Sequence, residues 1–343
     1  MRLTRDTLLK IASETAAQRA RVSRRIVCIY LTGSVLGDSP LLGGTTDIDL
    51  VIIHDSEPLQ PREIVRFSDE IHLDISHYAQ EIFRHPRHLR TDPWLGPFIY
   101  SKPMVFYDTQ HWFDFTQAST GAQFFQPDYI LQRANTLAQA AREAWMHLEF
   151  TPQEAHPRRV YGLLKSLENA GNALVCLTDE GQPLSERRFL LNLPHRLQAL
   201  GQPELISGLV SQLLPDPDRL EPVWKQWLLD WQGAFKAAGS QPEASPRLHP
   251  ARQTYYGHGA AALWEESPSA AFWLLFRSWT LAASHLPEGA PQLEGWQAAC
   301  QIVGLDEAHF PDHLQQLDHY LDRVEETLET WAHANGVSTI PQG

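Results

Sequence analysis

With 343 residues, 43% of them hydrophobic, the chain is long enough for two domains with cores of their own. Its net charge of −13 is unevenly spread: residues 1–122 hold 13 Lys and Arg against 15 Asp and Glu, and residues 123–343 hold 15 against 26. That balance disfavours a polynucleotide binder, no apolar run reaches the roughly 20 residues of a membrane span, and the first 25 residues lack the apolar core of a signal peptide. Cys28, Cys176 and Cys300 are far apart and odd in number, which leads us to expect a reducing cytoplasm and no structural zinc site.

In chain order, residues 3–22 read as a helix, with Leu8, Ile11, Thr15 and Val22 loosely on one side. The basic cluster Arg19, Arg21, Arg24 and Arg25 is read as its solvated end. Strands are predicted over 26–32 and 48–54, then a helix from Pro61 to Glu70 with proline in its first turn. A third strand follows over 71–78, a fourth over 104–108, and a short helix over 110–119. Gly121 marks the end of this first domain, 1–122.

From 123 to 343 the pattern is helical. Helices are predicted at 128–149, 158–178, 185–200, 203–214, 219–238, 258–265, 268–284, 290–303 and 310–333. Residues 239–253, with Pro242, Pro246 and Pro250, read as an interrupting loop. In 310–333, Phe310, Leu314, Leu317, Leu321, Val324, Leu328 and Trp331 recur in alternating steps of four and three, a heptad-type seam. Three heptads are short, so a bundle helix is the default reading and a homodimer seam the alternative. The fold class expected is α+β: a small mixed β-sheet domain, then an all-α helical bundle.

The most informative stretch runs from 29 to 54. A strand-like run ends in Gly33-Ser34, a glycine-rich connection follows, and a second strand opens Asp47-Ile-Asp49-Leu. Side chains alternate faces along a strand, so Asp47 and Asp49 share one face while Ile48 and Leu50 take the other. Two like charges on one face repel unless a divalent cation is bound. Glycine lets backbone approach an anion, and Ser34 adds an N–H and a hydroxyl. Asp74, in Ile-His-Leu-Asp-Ile-Ser, is an acidic residue between apolar ones on a short strand. His77, three residues further, faces the other way and is read as structural.

An apolar run, Gly-Ser, twelve intervening residues and Asp-apolar-Asp resembles the signature of the DNA polymerase β-like nucleotidyltransferases. The two-domain layout is similar to that of the aminoglycoside (kanamycin-type) nucleotidyltransferases. The resemblance implies that Asp47, Asp49 and Asp74 ligate two Mg²⁺ ions, for which Mn²⁺ can substitute, and that Asp74 also takes the proton of the incoming hydroxyl. It implies that Gly33 and Ser34 hold the β- and γ-phosphates of a nucleoside triphosphate, with ATP the expected co-substrate. The Arg or Lys often found just after Gly-Ser is missing here, so Lys165, Arg187 and Arg188 become candidate phosphate-binding cations. The expected activity is transfer of a nucleoside monophosphate, AMP from ATP, to a hydroxyl of a small molecule, with an aminoglycoside-like cation as one acceptor class. The alternatives are AMP transfer to a protein, of toxin–antitoxin type, and nucleotide binding without turnover.

Overall fold

The structure is a computed structural model that describes residues 3–101, 103–109, 111–210, 213 and 217–337. The chain divides into two units, Met1–Phe124 and Phe125–Gly343.

The first unit is built on strands β1 (Ile26–Thr32), β2 (Thr46–His54), β3 (Arg62–Arg66), β4 (Ile71–Ala79) and β5 (Met104–Asp108). Helices α1 (Arg5–Val22), α2 (Pro86–Thr91), α3 (Leu95–Tyr100) and α4 (Trp112–Gly121) complete it. The strand order is β3-β4-β2-β1-β5, with β2 and β4 parallel and the other neighbours antiparallel, so the sheet is mixed. β1 and β2 read as near-continuous apolar runs because both faces of the sheet are covered. Ile29, Leu31, Ile48, Leu50, Ile52, Leu73 and Ile75 pack with Leu8, Ile11, Ala12 and Ala16 of α1. Cys28, Tyr30, Val51 and Ile53 take the opposite face and pack with Phe83, Leu89, Ile99 and Phe113. That second core covers only part of its face. The start of β2 lies beyond it, and there the aligned positions are Asp47 and Asp49.

One predicted element of this unit is corrected. Residues 61–70 do not form a helix: Arg62–Arg66 is an edge strand paired with β4, and Phe67 and Ser68 donate their N–H groups to the carbonyl of Ile71 to close the hairpin. Pro61 stands just before the strand, where its carbonyl still accepts from the His77 N–H at 2.9 Å. Proline at a strand start on an edge costs no ladder bond.

The second unit is helical: α5 (Pro127–Phe150), α6 (His156–Cys176), α7 (Phe189–Ala199), α8 (Leu205–Val210), α9 (Pro217–Gly239), α10 (Ala251–Glu266), α11 (Pro268–Ser284), α12 (Leu293–Val303) and α13 (Phe310–Ala334). Every residue from Ala270 to Ala283 is buried, so α11 is the central helix, packed by α6, α7, α9, α10 and α12. The predicted loop at 239–253 is shorter than expected, because α10 already starts at Ala251 after a 3-10 turn at Pro246–Leu248. The predicted helix 203–214 is described only as Leu205–Val210; most of 211–216 lies outside the described residues.

Most of the seam in 310–333 packs inside the chain, with Trp331 half-buried. Phe310, Leu314, Leu317, Leu321, Val324 and Leu328 are all buried, against α5, α6 and α8 of the same chain. The seam is an internal bundle contact. Cys28, Cys176 and Cys300 are buried free thiols, and no helix of the described residues is long and apolar enough to cross a membrane.

Candidate metal centre

The sheet topology brings distant residues to one end. β1 and β2 are antiparallel, so the end of β1 lies beside the start of β2, with Thr32 opposite Asp49. β2 and β4 are parallel, which sets Asp49 in register with Asp74, and Asp47 with His72. Residues in register on neighbouring strands point to one face. Asp47, Asp49 and Asp74 therefore converge, each offering a carboxylate oxygen within 4.8 Å of the others. Asp74 is 2% exposed and Asp47 8%. Three carboxylates this close repel strongly at low dielectric, and a divalent cation offsets that repulsion.

Gly33 follows β1 directly and adopts φ +79°, a left-handed conformation that suits glycine. A Cβ at this position would lie 2.1 Å from Asp49 Oδ2. Backbone and carboxylate are thus in close contact, and only glycine leaves space for the Asp49 side chain. The chain then turns through a 3-10 segment, Ser34–Leu36. Val35 is buried and anchors it, while Ser34 is exposed. Arg5 of α1 braces the turn, donating from Nε to the Val35 carbonyl and from Nη2 to the Leu36 carbonyl, both at 3.1 Å. The loop returns through Gly43 and Gly44, both at positive φ, and Thr46 Oγ1 donates to the Pro40 carbonyl at 2.9 Å.

The donor set fits a hard divalent cation. All three side chains offer oxygen, and Mg²⁺ and Mn²⁺ take carboxylate oxygens. The hydroxyl of Thr32, buried and opposite Asp49, has no hydrogen-bond partner among the described residues. A buried polar atom without a partner costs free energy and marks a place where a ligand or water completes the bonding.

The sequence reading passed over Arg62. Its Nε donates to Asp74 Oδ1 at 2.6 Å and its Nη2 to Asp74 Oδ2, a two-pronged pair. The signal was faint. Ile64-Val65 is the β-branched step of a five-residue strand otherwise made of Arg and Glu, and a helix over 61–70 would not set Arg62 beside β4. His77 does face away from Asp74. Its Nδ1 lies 3.0 Å from His54 Nε2, and its Nε2 lies 3.7 Å from Glu63, which also pairs with Arg19 at 2.6 Å.

Lys165, Arg187 and Arg188 belong to the helical unit. Lys165 Nζ donates to Glu168 at 2.8 Å. Arg187 is buried, its guanidinium 3.8 Å over the ring of Tyr255. Arg188 precedes α7, and burial together with the neighbouring Arg187 charge lowers its pKa. Around Glu168 these helices enclose an ionic network. Arg277 donates from Nη2 to Glu168 at 2.8 Å, its Nη1 forms an ion pair with Glu186 at 2.9 Å, and Arg247 lies 3.3 Å from Glu186. Within the first unit, then, the structure brings Gly33, Asp47, Asp49 and Asp74 together, with Ser34 next in the chain.

Neither the protein-family models nor the curated proteins contain a match to this sequence.

Proposed function

We propose that the protein is a metal-dependent nucleotidyltransferase that moves a nucleoside monophosphate, AMP from ATP, onto a hydroxyl of a small molecule. The observation that carries this reading is the convergence of Asp47, Asp49 and Asp74 within 4.8 Å, beside a glycine backbone pressed against Asp49. In this reading Asp47 and Asp49 hold two Mg²⁺ ions and Asp74 completes the site. Divalent ions bound there would supply Lewis-acid stabilisation of the charge that develops on the phosphoryl group and on the leaving pyrophosphate.

The chain's own groups do the rest. Ser34 is exposed in the 3-10 turn after Gly33, and its N–H and hydroxyl can donate to phosphate oxygens. Asp74, acceptor-only as a carboxylate, lies beside the other two acids, where it can take the acceptor hydroxyl's proton. Thr32 adds a hydroxyl beside Asp49 that can orient a bound water or substrate oxygen. Catalysis of this kind is mostly positioning and electrostatics. For the acceptor we favour a cationic compound, because residues 123–343 carry a net charge of −11 against −2 for 1–122, and an acidic surface attracts cations and repels polynucleotides.

The test is pyrophosphate release from each of the four nucleoside triphosphates with Mg²⁺ or Mn²⁺, against an acceptor library that includes aminoglycosides, neutral sugars and the protein itself. ATP turnover dependent on a small hydroxyl compound is the expected result. Label appearing on protein would favour the protein AMP-transferase alternative. ATP binding without pyrophosphate release for any acceptor would overturn the enzyme reading.

A further inference from the structure

We propose that Arg62 is a built-in counter-ion of the carboxylate centre: a positioning residue that occupies Asp74 when no divalent ion is bound and competes with that ion for it. The inference rests on the metal-centre reading above and deepens it.

β3 pairs antiparallel with β4, with Ile64 opposite Asp74 and Arg62 opposite Ser76. Arg62 thus stands two residues from the position opposite Asp74, on the same face, and its side chain reaches back along the strand. The fork closes on both carboxylate oxygens. A guanidinium matched to a carboxylate in this way is the strongest geometry available to such a pair. The two partners differ in freedom: the Asp74 side chain is 2% exposed and that of Arg62 34%. Asp74 is fixed by the sheet, whereas the arginine has a path to solvent.

Charge decides what this contact does. Three carboxylates within 4.8 Å repel one another, and a cation on Asp74 relieves part of that repulsion. A divalent ion on the same acids relieves more, but it must bind next to a positive guanidinium or push it away. Like charges a few ångströms apart interact unfavourably even at high effective dielectric. Arg62 therefore stabilises the metal-free protein and weakens metal binding with the same contact. A salt bridge of purely structural role would do only the first. The opposite signs of the two effects are the signature.

The experiment compares the full-length protein with Arg62→Gln and Arg62→Lys, using Mn²⁺ as the probe. Affinity is read by titration calorimetry or by the electron paramagnetic resonance of free Mn²⁺, and thermal unfolding is followed in chelator and in saturating Mn²⁺. For Arg62→Gln the expected result is a lower Tm in chelator, Mn²⁺ affinity raised about tenfold or more, and a larger Mn²⁺-induced rise in Tm than in the wild type. Arg62→Lys keeps the charge but loses the fork, so it should fall between the two. It also carries the test if Arg62→Gln fails to fold without metal. Unchanged or weaker Mn²⁺ affinity in the folded variants overturns the proposal while leaving the metal centre standing. A wild type and variants that all bind no Mn²⁺ overturn the metal centre itself, and the competition with it.

Discussion

At Gly33 a backbone atom and a carboxylate meet with no space between them. With φ +79° and ψ −158°, alanine there would carry backbone strain of about 1–3 kcal/mol and would also force Asp49 aside, since its Cβ would sit 2.1 Å from Oδ2. Gly44 is the natural control: its φ is +75°, but a Cβ there meets nothing within 4 Å. In chemical denaturation Gly33→Ala should lose clearly more stability than Gly44→Ala, and only Gly33→Ala should lose Mn²⁺ binding. Equal losses would mean that Asp49 moves freely. Asp47→Asn and Asp49→Asn make the reverse prediction. Each removes a charge that a hard cation needs but also relieves repulsion among the three acids. Pyrophosphate release should vanish while the Tm in chelator holds or rises; near-wild-type release from either would remove the residue from the site. Ser34→Ala, at an exposed position, should raise the nucleotide KM and lower kcat only modestly, because one hydrogen bond to a charged group, about 1.5–3 kcal/mol, is lost while the N–H remains.

Among the elements, β2 shows what a sequence can and cannot reveal. Asp47 and Asp49 were legible as one-faced because strand alternation is local, whereas Asp74 stood out only because the resemblance calls for a third carboxylate on a later strand. The parallel pairing that sets Asp49 beside Asp74 is not local, since the intervening hairpin strand decides it. β3 itself was misread. Arg62-Glu63-Ile64-Val65-Arg66 has no clean apolar alternation, because an edge strand with one neighbour tolerates charged residues and even uses them. Its partner β4, not its own propensity, makes it a strand. The α5–α13 contact makes a further point. Arg142 donates from Nε to Glu325 at 2.8 Å, from Nη2 to Asp322 at 2.7 Å and from Nη1 to Asp318. Asp318, Asp322 and Glu325 sit on successive turns of α13, so without Arg142 three acids face one another along one helix stripe. The acids are 37–58% exposed, so solvent screens the network. Arg142→Met should cost about 1–2 kcal/mol in urea unfolding at low salt. The gap from wild type should narrow at 1 M salt, and a gap indifferent to salt would mean that packing, not charge, is what Arg142 supplies there.

Over the whole molecule the two units rely on different devices: an apolar sheet core with acids at one end in the first, a helical core with a buried ionic network in the second. The network makes the second acid-sensitive in a definite direction. Burial works against the Glu168 carboxylate, but Arg277 and Lys165 outweigh it and hold its pKa down at about 2, against an ordinary 4.5. Glu186 is likewise held low, its burial overcome by Arg277 and Arg247. In the unfolded chain both glutamates take up protons as pH falls through 4.5, while the folded protein refuses them until much lower pH. Their contribution to stability is therefore complete above about pH 5 and is lost progressively as pH falls from about 4.5 toward 2. Nine of the eleven tryptophans lie in Phe125–Gly343, so tryptophan emission reports chiefly on this unit. The Tm followed by that emission should hold between pH 7 and 5 and fall steeply below 4.5. Glu168→Gln should be less stable at pH 7, because it leaves the buried Arg277 with one carboxylate instead of two, and its Tm should depend less on pH below 4.5. A wild-type Tm that stayed flat down to pH 3 would show that the network is not what secures the helical unit, and that α11 is held by its apolar contacts alone.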